Sequence, residues 1–253
     1  MGLSEKKEKI NPVFERLLPL IGEEALFRLE KIKVAVVGIG GVGSWCAEAL
    51  VRSGIGNISI IDNDTVCESN INRQAEAVKS NLGRFKTEAF KERLLDINSY
   101  CKIKTFQAIF SKETAEDFNL SETDFVIDAI DTFPCKLDLI EYTLSLKKRL
   151  FSSMGMGQKL DPTQIKTADI WETSGCPLAR IVRQGLKTRG INGHFVAVYS
   201  PERVERVNVE MDNKEENNKK GNHDKKPIGS IVNVTATAGM VLSSLVIREV
   251  IYG

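Results

Sequence analysis

The sequence predicts an α/β fold: a Rossmann-like, mostly parallel sheet with helices on both faces, extended by a mixed C-terminal part and a C-terminal helix. Three observations predict it. The stretch Lys33 to Asp64 runs as apolar segment, glycine turn, helix-compatible segment, second apolar segment and acidic end, the order of a nucleotide-binding βαβ unit. Apolar and amphipathic segments then alternate as far as residue 155, and β-α-β-α-β-α-β-α-β feeds a parallel sheet through helical crossovers. Finally, 42% hydrophobic and 27% charged residues in a chain of 253 suit a globular protein able to bury a large core.

In order, Leu17, Leu18, Leu20 and Ile21 precede a helix predicted over Glu23 to Lys31, with Ala25, Leu26 and Leu29 on one side. Arg16 stands just before it, and the residues alone do not separate a solvated arginine from a ligand. A strand over Val34 to Val37 ends in Gly38-Ile39-Gly40-Gly41-Val42-Gly43; a helix over Ser44 to Ser53 and a strand over Ile58 to Ile61 follow, closing on Asp62. After the polar loop Thr65 to Gln74, a helix is expected over Lys86 to Asn98, a strand over Lys102 to Phe106 and a short helix over Thr114 to Phe118. A fourth strand over Asp124 to Ile130, a helix over Leu137 to Lys148 and a strand from Leu150 to Ser153 complete the regular part.

Beyond residue 155 the pattern loosens. Gln164 to Ile170 and Phe195 to Ser200 read as strands, and Cys176 to Arg189 as a basic amphipathic helix with proline in its first turn. Asp212 to Lys226 has no apolar residue, so it cannot bury surface and is expected to be a disordered loop. The expected organisation is one domain over 1–253. It comprises a nucleotide-binding core over 12–155, a substrate-side extension over 156–206, a flexible polar insert over 207–227 and a C-terminal helix over 228–253.

The formal charge of +1 supplies no global field for nucleic acid, so any polyanion site must be local. Five cysteines at 46, 67, 101, 135 and 176 form no CxxC pair, which argues against a zinc knuckle or disulfide framework and for reduced thiols in a cytoplasmic protein. The charged N-terminus lacks the apolar core of a signal peptide. Ile228 to Ile251 is long and apolar, yet Asn233, the Ser and Thr residues and Arg248-Glu249 favour a buried helix, with no stable membrane insertion expected and membrane association left open.

The glycine turn and Asp62 suit either NAD or ATP, since glycines admit phosphate to a helix N-terminus and the acid can accept ribose hydroxyls. Four features favour ATP. Asp62 and Asp64 give two carboxylates at one strand end; Asn70, Asn72, Arg73 and Gln74 form a polar cluster suited to phosphate oxygens. Lys86 supplies a point charge at a helix start, and Asp128 and Asp131 flank the end of the fourth strand. Hydride transfer needs no such set; adenylyl transfer does, because charge must be neutralised and Mg²⁺ held.

GxGGxG, DxD, NxNRQ, Gly-x-x-Lys and DAxD together resemble the E1-like family of ubiquitin-activating and ThiF/MoeB/HesA-type adenylating enzymes. The resemblance implies that Gly38, Gly40, Gly41 and Gly43 form the phosphate-side turn and that Asp62 holds the ribose. It implies that Asn70, Arg73 and Lys86 contact phosphates while Asp131 serves Mg²⁺ and the transition state. The family also supplies an arginine from a partner subunit through an RxxR-like segment; here Val13 replaces the first arginine and Arg16 keeps the second, which implies a homodimer. Missing CxxC pairs, with Val126 to Asp131, Asp161-Pro162-Thr163-Gln164-Ile165 and Thr235-Ala236-Thr237, resemble the tRNA threonylcarbamoyladenosine dehydratase branch. A cysteine desulfurase and sulfur-acceptor system is associated with that branch.

That branch implies an ATP-dependent reaction at adenosine 37 of tRNA. The threonine-derived carboxylate attacks the α-phosphate, and a nucleophile within the same modification then expels AMP, losing water and closing a ring. No enzyme cysteine is needed, so Cys176 at its helix start is read as non-catalytic, although thioester-forming relatives place a cysteine in a comparable segment. Lys147, Lys148 and Arg149, or Arg180, Arg183, Lys187 and Arg189, are candidate phosphate tracks, each equally readable as a solvated face. His194 and His223 make no metal pair. The alternatives are adenylation of the C-terminus of a ubiquitin-like or sulfur-carrier protein, a non-catalytic nucleotide sensor, and an NAD-linked oxidoreductase.

Overall fold

A computed structural model describes residues 10–203 and 228–253; the polar insert expected over 207–227, with His223, lies outside the described residues. The strands are β1 Lys33–Val37, β2 Asn57–Ile61, β3 Lys102–Phe106, β4 Phe125–Asp128, β5 Arg149–Ser153, β6 Lys166–Asp169 and β7 Val196–Tyr199. They form one sheet in the order β3-β2-β1-β4-β5-β7-β6. Every pairing is parallel except β6 on β7, so the mixed character expected of the C-terminal part is confined to that edge. The order reverses between β1 and β4, where a crevice must open beyond the strands' carboxyl ends.

The helices are α1 Leu18–Lys31, α2 Gly43–Arg52, α3 Lys86–Ile97, α4 Phe133–Ser145, α5 Pro177–Thr188 and α6 Val232–Tyr252. They cover both faces of the sheet, because β1 alternates its side chains with period two. Val34 and Val36 enter one core with Leu50 of α2, Phe90 of α3 and Leu242 of α6. Ala35 and Val37 enter the other with Ile140 of α4 and Val182 of α5. Each fully buried Val, Leu, Ile or Phe among these contributes about 1.5–3 kcal/mol.

Departures from the expected boundaries have local causes. Gly22 sits at φ +79°, a left-handed conformation that breaks α1 just before the stretch predicted from Glu23. α4 starts at Phe133 rather than Leu137 because Pro134 fits a first helical turn. β6 is shorter than Gln164 to Ile170, since Asp161 and Asp169 accept the N–H groups of Thr163 and Trp171 and turn the chain at both ends.

α6 meets the length and hydropathy of a membrane span, with mean hydropathy 1.5, yet 44% of that window is buried. It is a core helix packed on α2. A Cβ on Gly239 would lie 2.5 Å from Val42 O and 2.8 Å from Cys46 N, so glycine is what allows the two backbones to approach. Arg28 of α1 donates to Ile251 O at 3.1 Å, and Arg149 pairs with Glu249, which fixes the far end of α6.

Candidate active site

A cleft of about 1490 Å³ opens at the switch point. It is lined by Gly41, Asn72, Arg73 and Ala129–Asp131, from the loops after β1, β2 and β4, and by Cys176, Arg180, Arg183 and Arg203, from α5 and the chain after β7. A smaller cavity of about 110 Å³, lined by Lys33, Asn57 and Lys104, lies at the opposite edge of the sheet, away from these groups.

The glycine turn is built by contact as well as by freedom of φ. Gly38 lies at φ +91°, and a Cβ there would stand 2.8 Å from Ala129 O; one on Gly43 would stand 1.8 Å from Gly38 O. Gly40 has nothing within 4 Å of its Cβ position, so that side of the turn is open. Ser44 closes the first turn through its hydroxyl on Gly40 O at 2.7 Å, and α2 begins without a side-chain cap. A helix N-terminus of this kind offers donors and a positive dipole end to an anion.

Asp62 accepts the N–H of Ile39 at 2.7 Å on one oxygen and that of Asp64 at 2.9 Å on the other, which ties the glycine turn to the end of β2. A carboxylate retains further acceptor sites in this arrangement. Asp64 pairs with Lys86 Nζ at 2.9 Å. Lys86 is itself only 4% exposed; burial alone would lower its pKa, but Asp62, Asp64 and Glu76 hold it above the ordinary lysine value. It is a charged lysine held on carboxylates at the rim of the glycine turn.

Arg73 donates to Ser69 O at 2.7 Å and Asn72 Oδ1 at 2.9 Å; among the described residues it has no carboxylate partner, and it lines the cleft. Asn72 also donates to Ser230 O at 2.9 Å, joining this wall to the start of the C-terminal segment. Asn70 accepts the N–H of Cys67 at 3.1 Å and shapes the turn rather than lining the cleft. Asp131 is exposed at the cleft wall, bonded to Thr132 Oγ1 at 3.3 Å.

Two expected nucleotide contacts are turned inward instead. Asp128 is fully buried; Lys136 Nζ and Ser152 Oγ both donate to its Oδ2 at 2.6 Å, and its Oδ1 accepts the N–H of Ile130 at 3.1 Å. Its carboxylate is used up inside the protein, where it fixes the loop that carries Asp131. Gln74 is buried as well, at 7% exposure, with Oε1 unpaired. Arg16 is exposed on the N-terminal segment and does not line the cleft of its own chain.

Sequence reasoning missed Lys136 and Glu76. Lys136 sits on the stripe with Leu139, Ile140 and Thr143, all buried, and a lysine on an apolar helical stripe is a readable sign of a buried partner. Glu76 is 1% exposed with neither oxygen hydrogen-bonded. Its neighbour Ser44 Oγ is already committed to Gly40 O and the N–H of Ala75. Burial is the largest cause and pushes Glu76 up to about 8; its own backbone N–H, Lys86 and Ser44 pull the other way, and the Asp62 charge adds to the rise.

Cys176 is buried at the start of α5. Among the described residues no cluster of three or more His, Cys, Asp or Glu could hold a metal. The exposed carboxylate of Asp131 in the cleft lining is a donor type that fits Mg²⁺, an ion bound through one or two carboxylates with phosphates and water completing its shell.

The ThiF family model matches residues 14–252. The chain is 38% identical over 242 residues to the tRNA threonylcarbamoyladenosine dehydratase of Bacillus subtilis, covering 94% of each. A crystal structure of the Escherichia coli tRNA N6-threonylcarbamoyladenosine dehydratase, TcdA, in complex with ATP is 34% identical and superposes with a TM-score of 0.81 over 94% of this chain and 93% of that one. The same protein in complex with AMP gives 0.82 at 34% identity over 96% and 97%. More distantly, the adenylyltransferase and sulfurtransferase UBA4 of Candida glabrata is 36% identical over 51% of this chain and 30% of its own.

Proposed function

This chain belongs to the ThiF family, and from that premise we propose that it is an ATP-dependent tRNA threonylcarbamoyladenosine dehydratase. It would activate the carboxylate of the modified adenosine at position 37 as an acyl-adenylate and close it into a ring. The observation that carries this reading is a match over 94% of the chain to a relative so named, on a fold whose switch-point cleft joins the glycine turn, Arg73 and Asp131.

In this reading ATP lies with its phosphates over Gly38–Gly43 and the N-terminus of α2, and its ribose toward Asp62. Arg73 and Lys86 neutralise charge as the substrate carboxylate attacks the α-phosphate and pyrophosphate departs. Mg²⁺, where bound, would be held by Asp131 and the phosphates and would screen that same charge. Asn70 and Asn72 hold the loop that aims Arg73, and Asp128 with Lys136 and Ser152 holds the loop that aims Asp131. A nucleophile of the modification then attacks the activated carbonyl and AMP leaves, so the chemistry needs no thiol from Cys176.

We further propose a homodimer in which Arg16 of one copy reaches the cleft of the other, a single domain over 1–253 and a cytoplasmic location. A cysteine desulfurase and sulfur-acceptor system is the proposed functional partner. The second reading, adenylation of a carrier protein's C-terminus, is favoured only by the likeness to UBA4 over half the chain. Incubation with ATP separates the two: AMP release driven by modified tRNA supports the first. AMP or pyrophosphate release driven only by a small carrier protein overturns it.

A further inference from the structure

The cleft is lined by many more residues than the glycine turn, Arg73 and Asp131, and the part formed by α5 and the chain after β7 has a charge pattern of its own. Arg180, Arg183 and Arg203 line it, and among the described residues none of the three has a carboxylate partner. Arg183 is anchored by donating to Thr173 Oγ1, whose residue is buried, so its stem is held in place without its charge being cancelled. Arg180 is exposed one turn earlier on α5, three positions before Arg183. Arginines that tie the fold together elsewhere differ: Arg52, Arg84, Arg93, Arg149 and Arg189 all sit on carboxylates.

The structure also divides the basic stripe of α5. Lys187 lies over the Trp171 ring at 5.9 Å from its centroid, and Arg189 is shared between Asp138 and Glu141 at 2.7 Å each. Arg149, in the other basic run, is taken by Glu249. Among the described residues, the cations on this side of the cleft without a carboxylate partner are Arg180, Arg183 and Arg203, together with Lys159, whose Nζ donates to the backbone oxygen of Glu202. Glu202 lines the same space, but its carboxylate is held on the N–H groups of Leu160 and Asp161 at 3.1–3.2 Å and pairs with none of the three arginines. A chain with a formal charge of +1 that concentrates guanidinium groups without carboxylate partners on one part of the cleft is suited there to a polyanion such as a run of phosphodiesters.

We propose that Arg180, Arg183 and Arg203 form a phosphate-binding wall that grips the RNA backbone flanking the modified nucleotide. The inference rests on the dehydratase reading and adds to it the residues that recognise the polynucleotide rather than the reacting group. Guanidinium groups on this wall fix register and supply the salt-dependent part of affinity, while Arg73 and Lys86 act on the triphosphate.

The test uses the full chain, ATP and tRNA carrying the threonylcarbamoyl modification, with the Arg180→Ala/Arg183→Ala variant and Lys187→Ala as control. The expected result is a KM for tRNA raised about 10- to 100-fold, with KM for ATP and saturating kcat unchanged. The slope of log affinity against log salt should fall by roughly 1.5, as expected for two lost phosphate contacts. Arg203→Ala should shift the same slope by about half as much, and Lys187→Ala should shift neither constant. A double variant that is folded, by an unchanged melting temperature, yet binds tRNA with the wild-type constant and slope overturns the wall while leaving the function standing. Loss confined to kcat or to KM for ATP overturns it too. A wild-type protein that converts no modified tRNA, or that responds only to a carrier protein, overturns the dehydratase reading and the wall with it.

Discussion

Replacing Glu76 by Gln should make the protein more stable above neutral pH. Glu76 is 1% exposed and neither of its oxygens has a hydrogen-bond partner, so ionising it places an unsolvated charge behind Lys86. Burial carries its pKa from the ordinary 4.5 to about 8. In the unfolded chain the group ionises at its ordinary value, so between those limits the folded state holds the extra proton. Folding stability therefore falls as pH rises through that interval and is level above it, a decline on the order of 4–5 kcal/mol. Gln keeps the shape and removes the titration. The variant should match wild type near pH 4.5 and exceed it by a few kcal/mol at pH 8.5, where each kcal/mol is worth about 2–4 °C in melting temperature for a chain of this size. Urea or thermal unfolding of both proteins from pH 5 to 9 measures it. Parallel profiles would refute the reasoning, because they would mean that Glu76 titrates in the folded state as it does in the unfolded chain. A gain in stability accompanied by weaker ATP binding would show that the charge is retained for its pull on Lys86.

Breaking the buried pair by Lys136→Met should cost about 3–5 kcal/mol, whereas Asp128→Asn together with Lys136→Met should recover most of it; denaturant melts of the two compare directly. Gly43→Ala places a Cβ 1.8 Å from Gly38 O and should abolish ATP binding with a large fall in melting temperature. Gly40→Ala meets nothing within 4 Å and should leave stability within about 0.5 kcal/mol, so calorimetric titration of ATP into both separates a packing glycine from one that faces the ligand. Arg73→Ala should lower kcat for AMP formation about 10²- to 10³-fold at unchanged melting temperature, measured by pyrophosphate release.

The strands and helices around the switch-point cleft were legible because their side-chain periods change cleanly at glycines and acids. The stretch from Lys33 to Asp62 reads as βαβ before any contact is known, and Lys102–Phe106 matches its predicted bounds residue for residue. β6 was less so, since Asp161 and Asp169 shorten it through side-chain bonds that periodicity does not register. At the site, Arg73 and Asp131 were readable from motif spacing and do line the cleft. Asp128 was misread because two acids three apart at a strand end look alike in sequence, while Lys136 eight residues on turns one of them inward. The division of the basic helix was also out of reach, for it depends on Trp171, Asp138 and Glu141, which the chain brings to α5 only after folding.

Whether this cleft uses ATP to dehydrate a threonylcarbamoylated tRNA is measured by mass spectrometry of nucleosides from such tRNA after incubation with the purified protein and ATP. The expected outcome is conversion of the position 37 nucleoside to a product lighter by one water, with one AMP and one pyrophosphate formed per conversion and none without ATP. An unchanged nucleoside, with AMP absent or produced only when a carrier protein is added, would contradict it.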